Sequence, residues 1–194
     1  MSIELIRRKF TVGEYHLMGE AGVFAPGDRV ELINGEIIQM AAIGKRHATC
    51  VRRLIRVFRQ LPDDRAILDV QDPVELPPDS EPQPDVVLLQ FREDYYETAH
   101  PTPSDVLLLV EVSDSTIEYD REVKIPLYAK AGIREVWIVN LTEDGIEIYR
   151  QPTADEYQVV QKANRGEIIS PLEFPEFEID VNFILSSPQS KTQT

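Results

Sequence analysis

Cysteine is almost absent: Cys50 is the single one in 194 residues. An internal disulfide is thereby excluded. Because Cys50 lies in an apolar-periodic segment, it reads as a small buried hydrophobe and not as a nucleophile. Long apolar runs are missing too, and nothing approaches the ~20 residues that a membrane span requires. The opening Met1-Ser2-Ile3-Glu4 has no basic stretch followed by an apolar one. No secretory signal is read there, and a soluble, cytoplasmic protein with no membrane partner is expected. There is no glycine-rich phosphate loop and no nucleophile elbow, which removes P-loop NTPases and α/β-hydrolases. The three histidines, His16, His47 and His100, share no ligand spacing that would suggest zinc. Positive charge is scarce: 20 Lys and Arg against 34 Asp and Glu leave a net charge of −14. A uniformly acidic surface repels polyphosphate, so nucleic-acid binding would need a local basic patch.

What is present is a chain of ordinary globular composition, 42% hydrophobic and 28% charged, of a length that suits one domain. Residues 1–185 are expected to form it. Residues 186–194 read as a disordered polar tail, too poor in apolar side chains to stay ordered. Thr11-Val12-Gly13-Glu14 has the form of a capping box opening a short helix to about Glu20. Asn34-Gly35, between 29–33 and 36–40, is the strongest two-residue hairpin signal. Over 45–61, His47, Val51, Leu54, Ile55, Phe58 and Leu61 recur at helical spacing and predict an amphipathic helix. Short strands are expected at 66–70 and 74–76. A crossing with Pro77, Pro78, Pro82 and Pro84 then leads into a strand over 85–89. Residues 106–112 read as a central strand, apolar on both faces apart from Glu111. A helical segment over 116–131, interrupted at Pro126 and stopped by Gly132, precedes a buried strand at 135–140 and its hairpin partner at 145–149. Beyond Gln151 the chain reads as a β-rich appendix. The fold class is therefore α/β (α+β), a mixed sheet flanked by helices.

Glu111 is the most informative residue. A carboxylate within Leu107-Leu108-Leu109-Val110-Glu111-Val112 is costly unless it is paired or coordinates a metal. Strand alternation puts Leu107, Leu109, Glu111 and Ser113 on one face, at the C-terminal end where ligand sites gather. Asp85 opens another apolar strand, and if the two strands are neighbours in register the carboxylates converge. Mg²⁺ takes oxygen ligands at about 2.0–2.1 Å and uses one or two carboxylates with waters and substrate phosphate. Such a site suits phosphodiester hydrolysis, by polarising the phosphoryl oxygen and supplying a hydroxide-like water; Mn²⁺ would serve as a substitute. The metal-free alternative is a strand-end salt bridge. Ile117, Asp120, Lys124, Leu127, Tyr128 and Ala131 step by three or four, so Lys124 falls in the stripe that should pack on the sheet. Facing the two acids, its ammonium would orient water or stabilise charge on the pentavalent phosphate. Otherwise its stem packs and its head reaches water. Trp137, Tyr119 and Tyr128 are read as core.

The ordered series Pro84-Asp85, Val110-Glu111-Val112-Ser113, Ser115-Thr116, Tyr119-Asp120-Arg121, Lys124, Tyr128-Ala129 and Ala131-Gly132-Ile133-Arg134-Glu135-Val136-Trp137 resembles the Uma-type restriction-endonuclease-like family. Glu31-Leu32-Ile33-Asn34-Gly35-Glu36 and His47 resemble its N-terminal pattern, so the likeness covers most of residues 28–140. It implies a restriction-endonuclease-like PD-(D/E)xK core with Asp85 and Glu111 as metal ligands and DNA as substrate. In the general motif the lysine follows the second acid by two residues on the same strand; here that slot holds Ser113. The resemblance implies that Lys124 has taken the role from the following helix. Glu31 reads either as completing the acidic cluster or as a hydrogen-bond acceptor at the hairpin, and His47 either as a core residue or as one beside the pocket; with Ser113 and Asp120 they are the supporting candidates.

Arg52, Arg53, Arg56 and Arg59, with Lys45 and Arg46 at the helix start, concentrate positive charge on one element. They read either as a phosphate-contacting face for DNA or as a solvated face, paired with acidic neighbours in this chain or in a second copy, as in a homodimer. Two functions thus compete: a Mg²⁺-dependent endonuclease, and a catalytically inactive nuclease-fold protein acting as an interaction or self-associating module.

Overall fold

The computed structural model describes residues 7–62 and 64–185; the expected tail at 186–194 lies outside the described residues. Local chemistry accounts for the first elements. Helix α1 (Val12–Glu20) opens on a complete capping box: the Glu14 amide donates to Thr11 Oγ1 at 3.2 Å and the Thr11 amide to Glu14 Oε2 at 3.0 Å, which satisfies two free backbone donors reciprocally. Strands β1 (Val30–Ile33) and β2 (Glu36–Gln39) form the expected hairpin. Its turn places Asn34 at φ 49° and Gly35 at φ 74°, the left-handed pair that two-residue hairpins demand. A Cβ on Gly35 would also lie 2.7 Å from the Lys9 Cβ, so backbone conformation and close approach both require glycine. Helix α2 (Lys45–Phe58) buries Cys50, Val51, Leu54, Val57 and Phe58 along one stripe.

The centre is a six-stranded sheet in the order β3-β4-β5-β6-β7-β8, made of β3 (Ala66–Asp69), β4 (Val86–Gln90), β5 (Val106–Ser113), β6 (Glu135–Asn140), β7 (Gly145–Pro152) and β8 (Tyr157–Asn164). All neighbours are antiparallel except β5 and β6. A parallel pair needs a crossover, and a helical one fills this role: α3 (Ile117–Tyr119), a π-helical turn over Asp120–Lys124, and α4 (Ile125–Ala131), ended by Gly132 at φ 82°. Pro126 sits in the first turn of α4, directly after the π-helical turn. Helix α2 covers one face, packing Val51, Leu54 and Phe58 on Leu108, Val110 and Trp137. Helix α4 covers the other with Leu127, Tyr128 and Ala129 against Leu109, Val136 and Ile138. Strands β9 (Ile168–Ile169) and β10 (Ile179–Asp180) form a small separate pair, and α5 (Val181–Ile184) closes over α2. Among the described residues, no helix is long and apolar enough to cross a membrane.

Two expectations change. Residues 74–76 form no strand: the Val74 amide donates to Pro82 O and Leu76 exchanges bonds with Ser80. The prolines of the crossing lack the N–H that a ladder needs, so the contact stops at isolated bridges. The supposed β-rich appendix resolves into β8, the outer strand of the central sheet, and the β9–β10 pair. Its polar Gln158, Gln161 and Lys162 suit an edge strand, where charge discourages pairing with other chains.

Near the opposite edge, Asp69 hydrogen-bonds Asp72, and burial together with that acid pushes the Asp69 carboxyl up to about 7. A raised carboxyl stabilises the fold below its ordinary value of 3.8, and that contribution is lost as pH rises towards 7. Asp72→Asn, which removes the repelling charge, is expected to raise stability at pH 8 by up to ~1 kcal/mol, given partial exposure, and to change little at pH 5. Urea melts at the two pH values check this.

Candidate active site

Strand register brings the two sequence-distant acids to one place. Val86 of β4 lies opposite Val110 of β5, which puts Asp85, just before β4, beside Glu111. Asp85 Oδ2 accepts from the Val112 amide at 2.9 Å and from His47 Nε2 at 2.9 Å, while its Oδ1 accepts from Gln71 at 3.1 Å. His47 comes from the start of α2, so this helix fixes the orientation of Asp85. The other ring nitrogen of His47, Nδ1, is buried without a partner among the described residues.

Glu111 lies under the crossover helix, whose Lys124 and Tyr128 reach it. Lys124 Nζ at 3.1 Å and Tyr128 Oη at 2.5 Å both donate to its Oε1, so neither occupies Oε2. Lys124 also lies 3.2 Å from Glu31 Oε2, which accepts in addition from the Gln83 amide at 3.2 Å. Asp120, in the π-helical turn, accepts from Ser113 Oγ at 2.6 Å and Thr116 Oγ1 at 2.9 Å. Inserted π-turns shift the phase of a helix and often mark functional sites; here the turn ends on Lys124 itself. Glu31, Asp85, Glu111, Asp120 and Lys124 are all buried and line one cavity of about 330 Å³.

The electrostatics follow from that crowding. Burial pushes the Glu111 carboxyl up to about 8, against the pull of Lys124, and the Asp120 and Asp85 charges add to the rise. Burial also works against the Lys124 ammonium, but the Glu111, Glu31 and Asp120 carboxylates prevail and hold it above the ordinary lysine range. Burial, then the Glu111 charge, raises the Tyr128 phenol, which keeps it a donor. Elsewhere in this sheet buried glutamates are matched one to one with arginine: Glu135 by Arg150, Glu147 by Arg121. At the cavity, the buried acids Glu31, Asp85, Glu111 and Asp120 stand against one buried lysine, Lys124, which pairs with Glu31 and Glu111 while His47 bonds Asp85. A divalent cation is the ordinary remedy for such an excess.

The chemistry of the donors is that of a hard-cation site. Asp85 and Glu111 offer hard carboxylate oxygens on a shared wall, and Mg²⁺ needs only one or two carboxylates because it keeps its waters. Among the described residues, no three His, Cys, Asp or Glu ligand atoms of this cavity lie within 4.8 Å of one another; that spacing occurs at His16, Glu75 and Glu81.

Of the residues singled out in the sequence, Asp85, Glu111, Lys124, Glu31, Asp120 and His47 line the cavity, and Ser113 reaches it through Asp120. Arg52, Arg53, Arg56 and Arg59 do not. Arg53 donates to the Phe183 and Leu185 carbonyls and Arg56 stacks over the Phe183 ring, so two of the four hold α5. Arg52, Arg56 and Arg59 are exposed. The basic group that joins Lys124 in the cavity wall is Arg29. Tyr128, read as core, is core and also a ligand of Glu111; its spacing of four from Lys124 was the available signal. Tyr119, also read as core, lines the cavity with a buried hydroxyl that has no partner among the described residues. Gln71 and Gln83 gave no signal.

With this geometry in place, comparisons with known proteins can be read. A crystal structure described as "a putative nuclease belonging to DUF820" from Anabaena variabilis superposes with a TM-score of 0.71 over 90% of this chain and 97% of that one, at 17% identity; at that identity the likeness concerns the fold. No curated protein matches. The Uma2 family model, described as "Putative restriction endonuclease", matches residues 12–182. That span takes in every cavity acid and Lys124, and the chain belongs to the Uma2 restriction-endonuclease-like family.

Proposed function

We propose that this protein is a divalent-metal-dependent endonuclease that hydrolyses phosphodiester bonds of DNA. The observation that supports the reading is the buried excess of Glu31, Asp85, Glu111 and Asp120 around Lys124, a charge balance that structural ion pairs in the same sheet avoid. Asp85 and Glu111 would hold Mg²⁺, or Mn²⁺ in its place, which when bound polarises a phosphoryl oxygen and supplies a nucleophilic water. His47, Gln71 and the Val112 amide hold the Asp85 carboxylate in one orientation, so that little reorganisation accompanies binding. Tyr128 and Lys124 do the same for Glu111. Lys124 stays protonated at any working pH, because its acidic neighbours raise its pKa. It therefore acts as fixed positive charge beside the phosphate oxygens and not as a proton acceptor. Asp120, clamped by Ser113 and Thr116, supports the position of Lys124 electrostatically. Exposed Arg52, Arg56 and Arg59 remain available to DNA phosphates, with Arg53 bonded to the α5 carbonyls.

The test is nicking of supercoiled plasmid by the purified chain. Nicking that appears with Mg²⁺ or Mn²⁺, disappears with EDTA and is lost in Asp85→Asn supports the proposal. Nicking equal in wild type and Asp85→Asn refutes this site. No nicking with either ion, by protein that is folded, favours a scaffold retained for interaction or self-association.

A further inference from the structure

Away from the cavity, α1 and the proline-rich crossing gather side chains that the proposed reaction leaves unused. His16, Glu75 and Glu81 each offer a ligand atom, and these atoms lie within 4.8 Å of one another. His16 Nε2 is 2.5 Å from Glu81 Oε2. Glu81 is buried, and its two companions are half-buried. The ring of His100 lies 5.9 Å from that of His16, centroid to centroid, and the two histidines wall a second cavity with Tyr15 and Phe24.

We propose that His16, Glu75 and Glu81, with His100 as fourth donor, form a second cation site that takes a first-row transition ion of the Zn²⁺ type. Three independent features point there. The first is charge: among the described residues no Lys or Arg forms an ion pair with Glu75 or Glu81, and His16 is the partner of Glu81. The second is donor chemistry, since imidazole with carboxylate suits Zn²⁺, whereas Mg²⁺ prefers oxygen alone. The third is preorganisation. The four residues come from separate segments that the backbone already ties together: the Val12 amide donates to Pro78 O at 3.0 Å, the Glu75 amide to Pro101 O at 2.9 Å, and Glu81 exchanges bonds with Leu32. Ligands at about 2.0–2.2 Å from one ion stand roughly 3–4.4 Å apart, so the spread of the His16, Glu75 and Glu81 ligand atoms, within 4.8 Å, closes with shifts of a few tenths of an ångström, and His100 would swing in from the neighbouring ring position. Such an ion would pin α1 to the crossing. It would also brace β1, whose Glu31, next to Leu32, holds Lys124.

The experiment uses the full chain stripped with EDTA and titrated with Co²⁺ as a spectroscopic stand-in for Zn²⁺, followed by Zn²⁺ competition. The Asp85→Asn/Glu111→Gln double variant removes the first site. It is expected to keep one Co²⁺ equivalent with visible ligand-field bands, displaced by Zn²⁺ and accompanied by a rise in Tm. His16→Ala and, separately, Glu75→Gln are expected to weaken this binding at least 10-fold, on the order of what even outer-shell changes cost a metal site. Glu75 makes no side-chain hydrogen bond among the described residues, so Glu75→Gln leaves folding intact and serves where His16→Ala does not fold. Co²⁺ bands that vanish in Asp85→Asn/Glu111→Gln, or that persist unchanged in His16→Ala and Glu75→Gln, overturn the proposal. Absence of any band in wild type does so as well, and leaves His16 and Glu81 as a simple ion pair.

Discussion

Glu111→Gln should lose plasmid nicking by at least ~10-fold, the order that even outer-shell changes cost a metal site, while the protein remains folded. The substitution keeps the shape of the side chain, and the amide oxygen can still accept from Lys124 and Tyr128 where Oε1 now does. It removes the charge that would hold the cation. The same variant has a second, independent readout in EDTA. Burial raises the Glu111 carboxyl from an ordinary 4.5 to about 8, so between those values the folded protein holds a proton that the unfolded chain has released. Stability from this group is complete below 4.5 and is lost as pH rises towards 8. Glu111→Gln should therefore gain on the wild type in Tm as pH rises across that window, with the gain levelling off above it. A variant that nicks DNA at the wild-type rate, or one whose Tm difference is flat with pH, would remove Glu111 from the role given to it.

Lys124→Met is expected to show the largest loss of stability in the molecule. The ammonium is buried between Glu31 at 3.2 Å and Glu111 at 3.1 Å, and methionine fills the volume without the charge. Breaking a buried pair from one side leaves acids that neither water nor a partner stabilises, which costs about 3–5 kcal/mol. For a domain of this size that corresponds to a drop in Tm of roughly 6–20 °C at pH 8. Acidification should reverse much of it, because protonated carboxyls no longer need the lysine. The double variant Glu111→Gln/Lys124→Met should lose less than Lys124→Met alone, since the two residues share one interaction and their effects do not add. Urea melts of the three variants at pH 5 and pH 8 give the comparison. A Lys124→Met protein as stable as wild type at pH 8 would mean that the acids find compensation elsewhere.

The elements were readable because each rests on short-range chemistry. The Thr11/Glu14 box, the Asn34-Gly35 turn and the apolar stripe of α2 all fall where their residues predict them. A glutamate within five apolar neighbours marked Glu111, because few physical situations tolerate it. Partners from elsewhere in the chain lay beyond the reach of local rules. Residues 74–76 have strand composition, but the segment opposite is too rich in proline to pair. The arginines of α2 form a basic run, yet Arg53 and Arg56 are taken up by α5, more than 120 residues later. His16 and His100, 84 positions apart, lie beside each other although no spacing rule connects them.

Sequence alone determined the types of side chain available and the local elements that carry them: two acids on apolar strands, a lysine on a sheet-facing helical stripe, and an acidic chain with little positive charge to spare. Tertiary structure decided which of these meet. The antiparallel register of β4 on β5 set Asp85 beside Glu111, the π-helical turn turned Lys124 inward, and the hairpin delivered Glu31 from the far end of the chain. The physical reason is range: capping, turns and periodicity act over a few residues, whereas the energy of a buried charge depends on whatever the whole fold places within a few ångströms of it.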